Sequence, residues 1–216
     1  MSTLNEHLNA DLDQPAIMHG ATLPWLASPL AGVERRPLYR LGGEQARATS
    51  LVRYAPGSHF SPHRHGLGEE FVVLEGVFED EHGRYPAGSY VRNPPGSEHA
   101  PGSVEGCMIF VRLRQFHPQD EQQVVREMPA HGDALLFENA FERVWVRDFP
   151  PGADVVIANA RGLEILVLAG ELEVADVRVE RLGWMRLPRE RDLLGRAGPQ
   201  GIRIWIKEAA FDPGTA

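Results

Sequence analysis

The chain has 216 residues, a formal net charge of −8, 43% hydrophobic residues and a single cysteine. This length and apolar content suit one large or two small globular domains, and the acidic balance argues against a general nucleic-acid surface. The lone Cys107 excludes an internal disulfide and fits a reducing cytoplasm.

At the N-terminus, Met1 to Asp13 is polar and acidic, without the basic and apolar regions of a secretory signal. No apolar run is long enough to cross a bilayer, so no membrane contact is expected. Residues 1–48 read as an N-terminal arm; its stretch 21–42, with Pro24, Trp25, Pro29 and Pro37, is expected to pack on the following barrel. From about Thr49 the text becomes short β-rich runs punctuated by Gly, Pro, Asp and Asn, the pattern of an all-β sandwich or barrel. Residues 50–54, 70–78, 88–92 and 107–113 read as strands, with Asp80, Glu81, His82 and Gly83 as a hairpin turn. A polar stretch between about Gln115 and Gly132 reads as a linker, and residues 133–214 as a second barrel. The one lysine, Lys207, among many arginines is read as codon bias.

The chemistry concentrates in two short stretches of the first barrel, residues 49–117. One contains Gly57, His63, His65, Glu69 and Gly76, the other Gly88, Pro94, Pro95, Gly96 and His99. His63 and His65 are two apart, so on a strand both leave the same face. Gly66 and Gly68 permit a tight reversal that returns Glu69 beside them, and the Pro94-Pro95-Gly96 turn delivers His99 from a second hairpin. Three imidazoles and a carboxylate make a site for one divalent ion. Neighbouring residues on a strand face opposite ways, so the adjacent Glu70 is expected to face out or meet an arginine. His59, four residues before His63, is a near-miss that reads first as solvent-facing. Cys107 reads as a small buried residue, and Phe71, Tyr90 and Arg92 are candidates to line a cavity. His7, His19, His82, His117 and His131 carry no pattern.

A weak internal repeat links the halves. Glu70 to Gly76 is echoed by Glu164 to Gly170, Gly88 to Arg92 by Gly183 to Leu187, and the strand at Cys107 by that at Gly201. The second copy keeps the strand pattern and loses the ligands: Ala158, Asn159 and Ala160 stand near the first positions, Leu193 and Leu194 near that of His99. Trp184 and Trp205 read as core or interface packing.

The two stretches resemble the paired signature motifs of the cupin superfamily of small antiparallel β-barrels. The first matches at every fixed position and the second through His99, after which Ser103 stands where the pattern has asparagine. A finer resemblance over about Ser50 to Phe116, including Gly106 and Cys107, is to the ChrR-like cupins. It implies a double-stranded β-helix (jelly-roll) fold, here as a bicupin whose second barrel is degenerate. It also implies that the family's metal ligands carry over to His63, His65, Glu69 and His99. That group includes the cupin domain of a zinc-binding anti-sigma factor and iron-dependent dioxygenases of diketones and aromatic ketones.

Two functions follow as expectations. The first is a stand-alone metal-binding sensor or regulatory module holding zinc. The anti-sigma relative binds its sigma factor through an upstream zinc domain, for which residues 1–48 offer no cysteine, so direct sigma-factor binding is not expected. The alternative is an Fe(II)-dependent dioxygenase with a small-molecule substrate in the first barrel. The ligand set also suits Mn or Ni, because it contains no thiolate. A DNA-binding regulator finds neither a helix-turn-helix pattern nor a basic patch. Exposed barrel edges make a homodimer reasonable.

Overall fold

The computed structural model describes residues 5–43 and 45–210. Among these every regular element is a strand, there is no helix, and all pairings are antiparallel. The chain divides into two compact units.

Among the described residues, the first unit contains 5–10, 24–43 and 45–128. Its main sheet runs in space through Val124–Glu127, Ser89–Asn93, Glu69–Asp80, Cys107–Leu113, Arg47–Tyr54, Val33–Leu41 and Leu26–Ala27. Alternation sorts its faces. On the inner face, Phe71, Val73, Phe78, Tyr85, Val91 and Ile109 form a hydrophobic cluster. On the outer face Glu70 meets Arg112 directly across the strand pair and ion-pairs with it at 2.7 Å, both side chains buried. Tyr90 Oη also donates to Glu70, at 2.5 Å, and Arg92 pairs with Asp120 at 2.8 Å. Phe71, Tyr90 and Arg92 therefore serve the core and this buried polar layer, and none of them lines the cavity described below.

The residues read as an arm contain regular structure. Val33–Leu41 is a full strand paired with Arg47–Tyr54, and the guanidinium groups of Arg36 and Arg53 each lie over the Trp25 ring, 4.3 and 4.5 Å from its centroid. A charged run followed by Pro37 hides the alternation in sequence. A bulge between Pro37 and Tyr39 then shifts the register, so that Arg35 opposes Val52 while Arg40 opposes Ala48. Likewise Val124–Glu127, within the polar stretch read as a linker, pairs with Ser89–Asn93.

Among the described residues, the second unit contains 11–23 and 129–210. Ala16–His19 pairs with Gly183–Leu187, which continues through Leu163–Val174, Leu193–Ala209, Glu142–Phe149 and Ala134–Glu138. Its core is aliphatic, including Val155, Leu163, Ile165, Met185, Leu193 and Ile206, all fully buried. The internal repeat is present in register: Glu70 opposes Arg112 as Glu164 opposes Lys207. Both units make the same close backbone approach. A Cβ on Gly76 would lie 2.0 Å from the Gly106 carbonyl oxygen, and one on Gly170 would lie 2.1 Å from that of Gly201. Both glycines have positive φ, +71° and +74°.

Replacing Gly76 with Ala therefore meets a backbone atom and a left-handed conformation together. It should destabilise the protein by about 2 kcal/mol or more, read as a lowered midpoint in urea unfolding. Gly57→Ala, at φ +75° but with open space around it, should cost clearly less.

Candidate metal centre

The first unit carries a second, two-stranded ribbon in which His63–Arg64 pairs with Glu98–His99. Its register places His63 directly opposite His99, so both imidazoles leave one face. His65 follows as the ribbon ends and is laced to the Pro94–Ser97 turn. Its N–H donates to the Ser97 carbonyl at 2.9 Å, and its carbonyl accepts from Gly96 N–H at 2.7 Å. The chain reverses at Gly68, whose φ is +80° and where a Cβ would lie 2.4 Å from the Phe116 ring. Glu69 then opens the long strand.

The reversal brings all four sequence candidates together. Donor atoms of His63, His65 and His99 lie within 4.8 Å of one another, the one such histidine group among the described residues. Glu69 Oε2 is 3.4 Å from Nε2 of His65 and equally far from Nε2 of His99. Glu70 points the other way into its ion pairs, and His59 stands exposed outside the group.

Hydrogen bonds fix the rings. His99 Nδ1 faces Asp80 Oδ2 at 3.1 Å, and a carboxylate only accepts, so Nδ1 carries the proton and Nε2 keeps its lone pair. His65 Nδ1 is 3.2 Å from Ser97 Oγ, whose own hydroxyl donates to the Pro94 carbonyl at 2.7 Å, so His65 is the donor there too. His63 Nδ1 faces the Ser61 carbonyl at 3.4 Å. Nε2 of His65 and of His99 are buried without a hydrogen-bond partner. Two buried lone pairs aimed beside a carboxylate are what a divalent cation requires, and the donor set fits one. Asp80 also accepts from Tyr85 Oη at 3.0 Å, and Asn93 Nδ2 donates to Glu69 Oε2 at 3.4 Å.

Electrostatics differ between the two buried rings. Burial, with His99 and His63 nearby, holds the His65 pKa below its ordinary value against the pull of Glu69. Burial also works against a charged His99, yet the Asp80 hydrogen bond and the Glu69 and Asp80 charges outweigh it and raise that pKa. Burial followed by the Glu69 charge raises the pKa of the Tyr54 phenol, leaving it protonated. Burial pushes the Cys107 thiol up to about 11, so it stays a thiol packed in the core.

A cavity of about 440 Å³ adjoins the cluster, with His63, His65 and Glu69 in its wall. Its space comes from small inner-face side chains, Ala46, Ala48 and Ser50. The position equivalent to Ser50 in the second unit, by strand register, is Trp145, packed on that unit's core. There Asn159, in the place of the histidines, closes its loop instead. It donates to the carbonyls of Pro188 and Arg191, at 2.8 and 2.9 Å, and accepts from Gly162 N–H at 2.7 Å.

Sequence reasoning missed Asp80, Asn93, Ser97 and Tyr54 as supporting residues. Asp80 was legible only as the opening of a hairpin turn, where its Oδ1 does accept from His82 and Gly83 N–H.

Comparison with known proteins places this architecture among the cupin-fold proteins. A protein from Nostoc punctiforme named as a dioxygenase candidate shares the fold with a TM-score of 0.74 and 15% identity, over 94% of this chain and 85% of its own. The bacterial pirin YhhW from Escherichia coli, solved with nickel(II), gives 0.72 and 14%, over 91% of this chain and 100% of its own. A cupin 2 conserved barrel domain protein from Leptotrichia buccalis gives 0.58 and 12%, over 94% and 99%. Residues 13–117, just under half of the chain, match the model of the ChrR Cupin-like domain family. No curated protein matches the sequence significantly.

His99→Ala and His65→Ala should each lower bound metal at least tenfold by elemental analysis. Asp80→Asn, which leaves the four candidates intact, should weaken metal affinity by about 10- to 100-fold. Because His99 binds a proton above its ordinary pKa of about 6.5, that proton competes with the metal. Affinity measured by competition with a chromogenic chelator should therefore start to fall before pH drops to about 6.5 and keep falling below it. Asp80→Asn should move that onset to lower pH.

Proposed function

We propose that the protein is a metal-dependent cupin enzyme of the oxygenase type, acting on a small carbonyl compound that enters the cavity of the first unit. The observation that carries this reading is the cavity itself: about 440 Å³ of space whose wall includes His63, His65 and Glu69. A structural zinc site has no use for such access, whereas a catalytic metal keeps positions for substrate. A divalent ion held by His63, His65, Glu69 and His99 would polarise a chelating carbonyl and, if redox-active, activate dioxygen.

The chain's own residues supply the rest. Val52, Ile109, Val111 and Leu113 give an apolar wall that excludes water from the substrate. Tyr54 is held edge-on against Phe60 and Phe78, at 5.5 and 5.7 Å between ring centroids, and its protonated phenol is a donor for a substrate oxygen. Asp80 holds the proton on His99 Nδ1, which keeps Nε2 basic.

The family match over residues 13–117 favours a second reading, a metal-loaded regulatory module whose signal is a cavity ligand. Protein purified without oxygen and reconstituted with Fe(II) separates the two. With a panel of diketones, aryl ketones and keto acids, the enzyme reading expects oxygen consumption dependent on both iron and His99. Stoichiometric zinc in purified protein together with no oxygen uptake after reconstitution would favour the regulatory module and end the enzyme reading.

A further inference from the structure

The protein as a whole is acidic, with a net charge of −8, yet this cavity is lined by arginines. Arg35, Arg40, Arg64 and Arg114 all contribute to its wall, and among the described residues Glu69, already beside the histidines, is the one acid there. Two of these cations are committed. Arg40 reaches the Gly43 carbonyl, and Arg64 Nε donates to the Gly96 carbonyl at 3.1 Å. The other two are not. Neither the Arg35 nor the Arg114 guanidinium has a hydrogen bond or ion pair with any described residue, and Arg35 Nε is buried with no acceptor.

The fold places both deliberately. Arg35 belongs to the inner face because it opposes Val52 in the strand pair, where an aliphatic residue would complete the core. Arg114 has φ +61°, a conformation that side-chain-bearing residues seldom adopt, and its N–H is tied to the Gly68 carbonyl at 2.8 Å. Its guanidinium lies beside Gly66, next to His65: a Cβ there would sit in ordinary contact, 3.7 Å, with Arg114 Nη1. Between the cations the wall is hydrocarbon and aromatic, with Leu30, Val33, Phe60 and Val111. A buried donor without an acceptor is costly, and an unpaired guanidinium set among hydrocarbon and aromatic side chains is a seat for an anion.

We propose that the cavity takes an organic carboxylate with an apolar body, its charge seated on Arg35 and drawn in by Arg114. This rests on the cavity being the ligand site, and it specifies an acidic rather than a neutral carbonyl compound for that site. The seat is built from strand and turn residues distinct from the candidate metal ligands, so it can be tested without metal.

The experiment is calorimetric titration of the protein, both as purified and after metal removal, with 4-phenylbutyrate and octanoate and with their neutral primary amides. The carboxylates should bind, and the amides at least tenfold more weakly. Arg35→Gln should weaken carboxylate binding at least tenfold, Arg114→Gln by less, and Arg35→Lys should retain most of it, with unchanged circular dichroism in each. Equal binding of acid and amide overturns the proposal, as does full retention in Arg35→Gln or no carboxylate binding at millimolar concentration. If Arg35→Gln does not fold, the acid–amide comparison on the wild-type protein still decides. Arginine-dependent binding in a protein whose histidines hold no metal would sink the metal reading alone. Metal binding without acid preference would sink this proposal alone.

Discussion

Two imidazole nitrogens, Nε2 of His65 and of His99, are buried without a hydrogen-bond partner, each 3.4 Å from the same Glu69 oxygen. Leaving such groups unsatisfied costs about 1–3 kcal/mol each, so their convergence has to be enforced by the surrounding structure. The enforcement is local and nearly all backbone. A two-residue ribbon opposes His63 to His99, the Pro94–Ser97 turn is laced to His65, and Gly68 reverses the chain to start the strand at Glu69. Asp80, at the far end of that same strand, returns to hold His99 from behind. One long strand, Glu69–Asp80, therefore supplies both a candidate ligand and the carboxylate that orients another.

The second unit shows what the scaffold does without this constraint. It repeats the register and the glycine contact at Gly170, so the backbone solution does not depend on the histidines. Aliphatic side chains fill its interior, Trp145 stands where the first unit has Ser50, and Asn159 satisfies its loop with three hydrogen bonds of its own. Polar loop donors are met internally there, whereas in the first unit the two Nε2 atoms are left for a ligand. The comparison separates residues that make the barrel from residues that make the site. Gly76 and the aliphatic strands belong to the first group; His63, His65, Glu69, His99 and the small residues Ala48 and Ser50 belong to the second.

Much of this was legible in the sequence because the site is encoded by short spacings. A two-residue gap on a strand, a glycine reversal and a Pro-Pro-Gly turn depend only on local geometry, and the choice of Glu69 over Glu70 follows from alternation. The strand Val33–Leu41 was not legible, since its charged run and Pro37 conceal the period and a bulge breaks it. Asp80, Asn93 and Ser97 were missed for a different reason: each acts across strands or turns, and no short spacing marks a partner 19, 24 or 32 positions away. The arginine lining of the cavity lies beyond spacing for the same reason. Arg35 and Arg114 share a cavity only because the strand that carries Arg35 and the strand that ends at Leu113, just before Arg114, flank Arg47–Tyr54.

The uneven burial of the three histidines has a chemical consequence. His65 and His99 are 7% and 2% exposed and held through their Nδ1 atoms by Ser97 and Asp80, whereas His63 is exposed and has only a 3.4 Å contact to a carbonyl. A site meant solely to brace the fold gains from sealing every ligand, because each exposed one admits water and protons that compete for the ion. Here His99 lies behind the cavity wall, whereas His65, held through Ser97, and the loosely held His63 both face the cavity along with Tyr54 and the unpaired guanidiniums. Such an arrangement fixes an ion from behind while leaving its front open to an incoming group. Rigidity thus lies with the two buried candidate ligands, His65 and His99, and space lies in front of His63, His65 and Glu69.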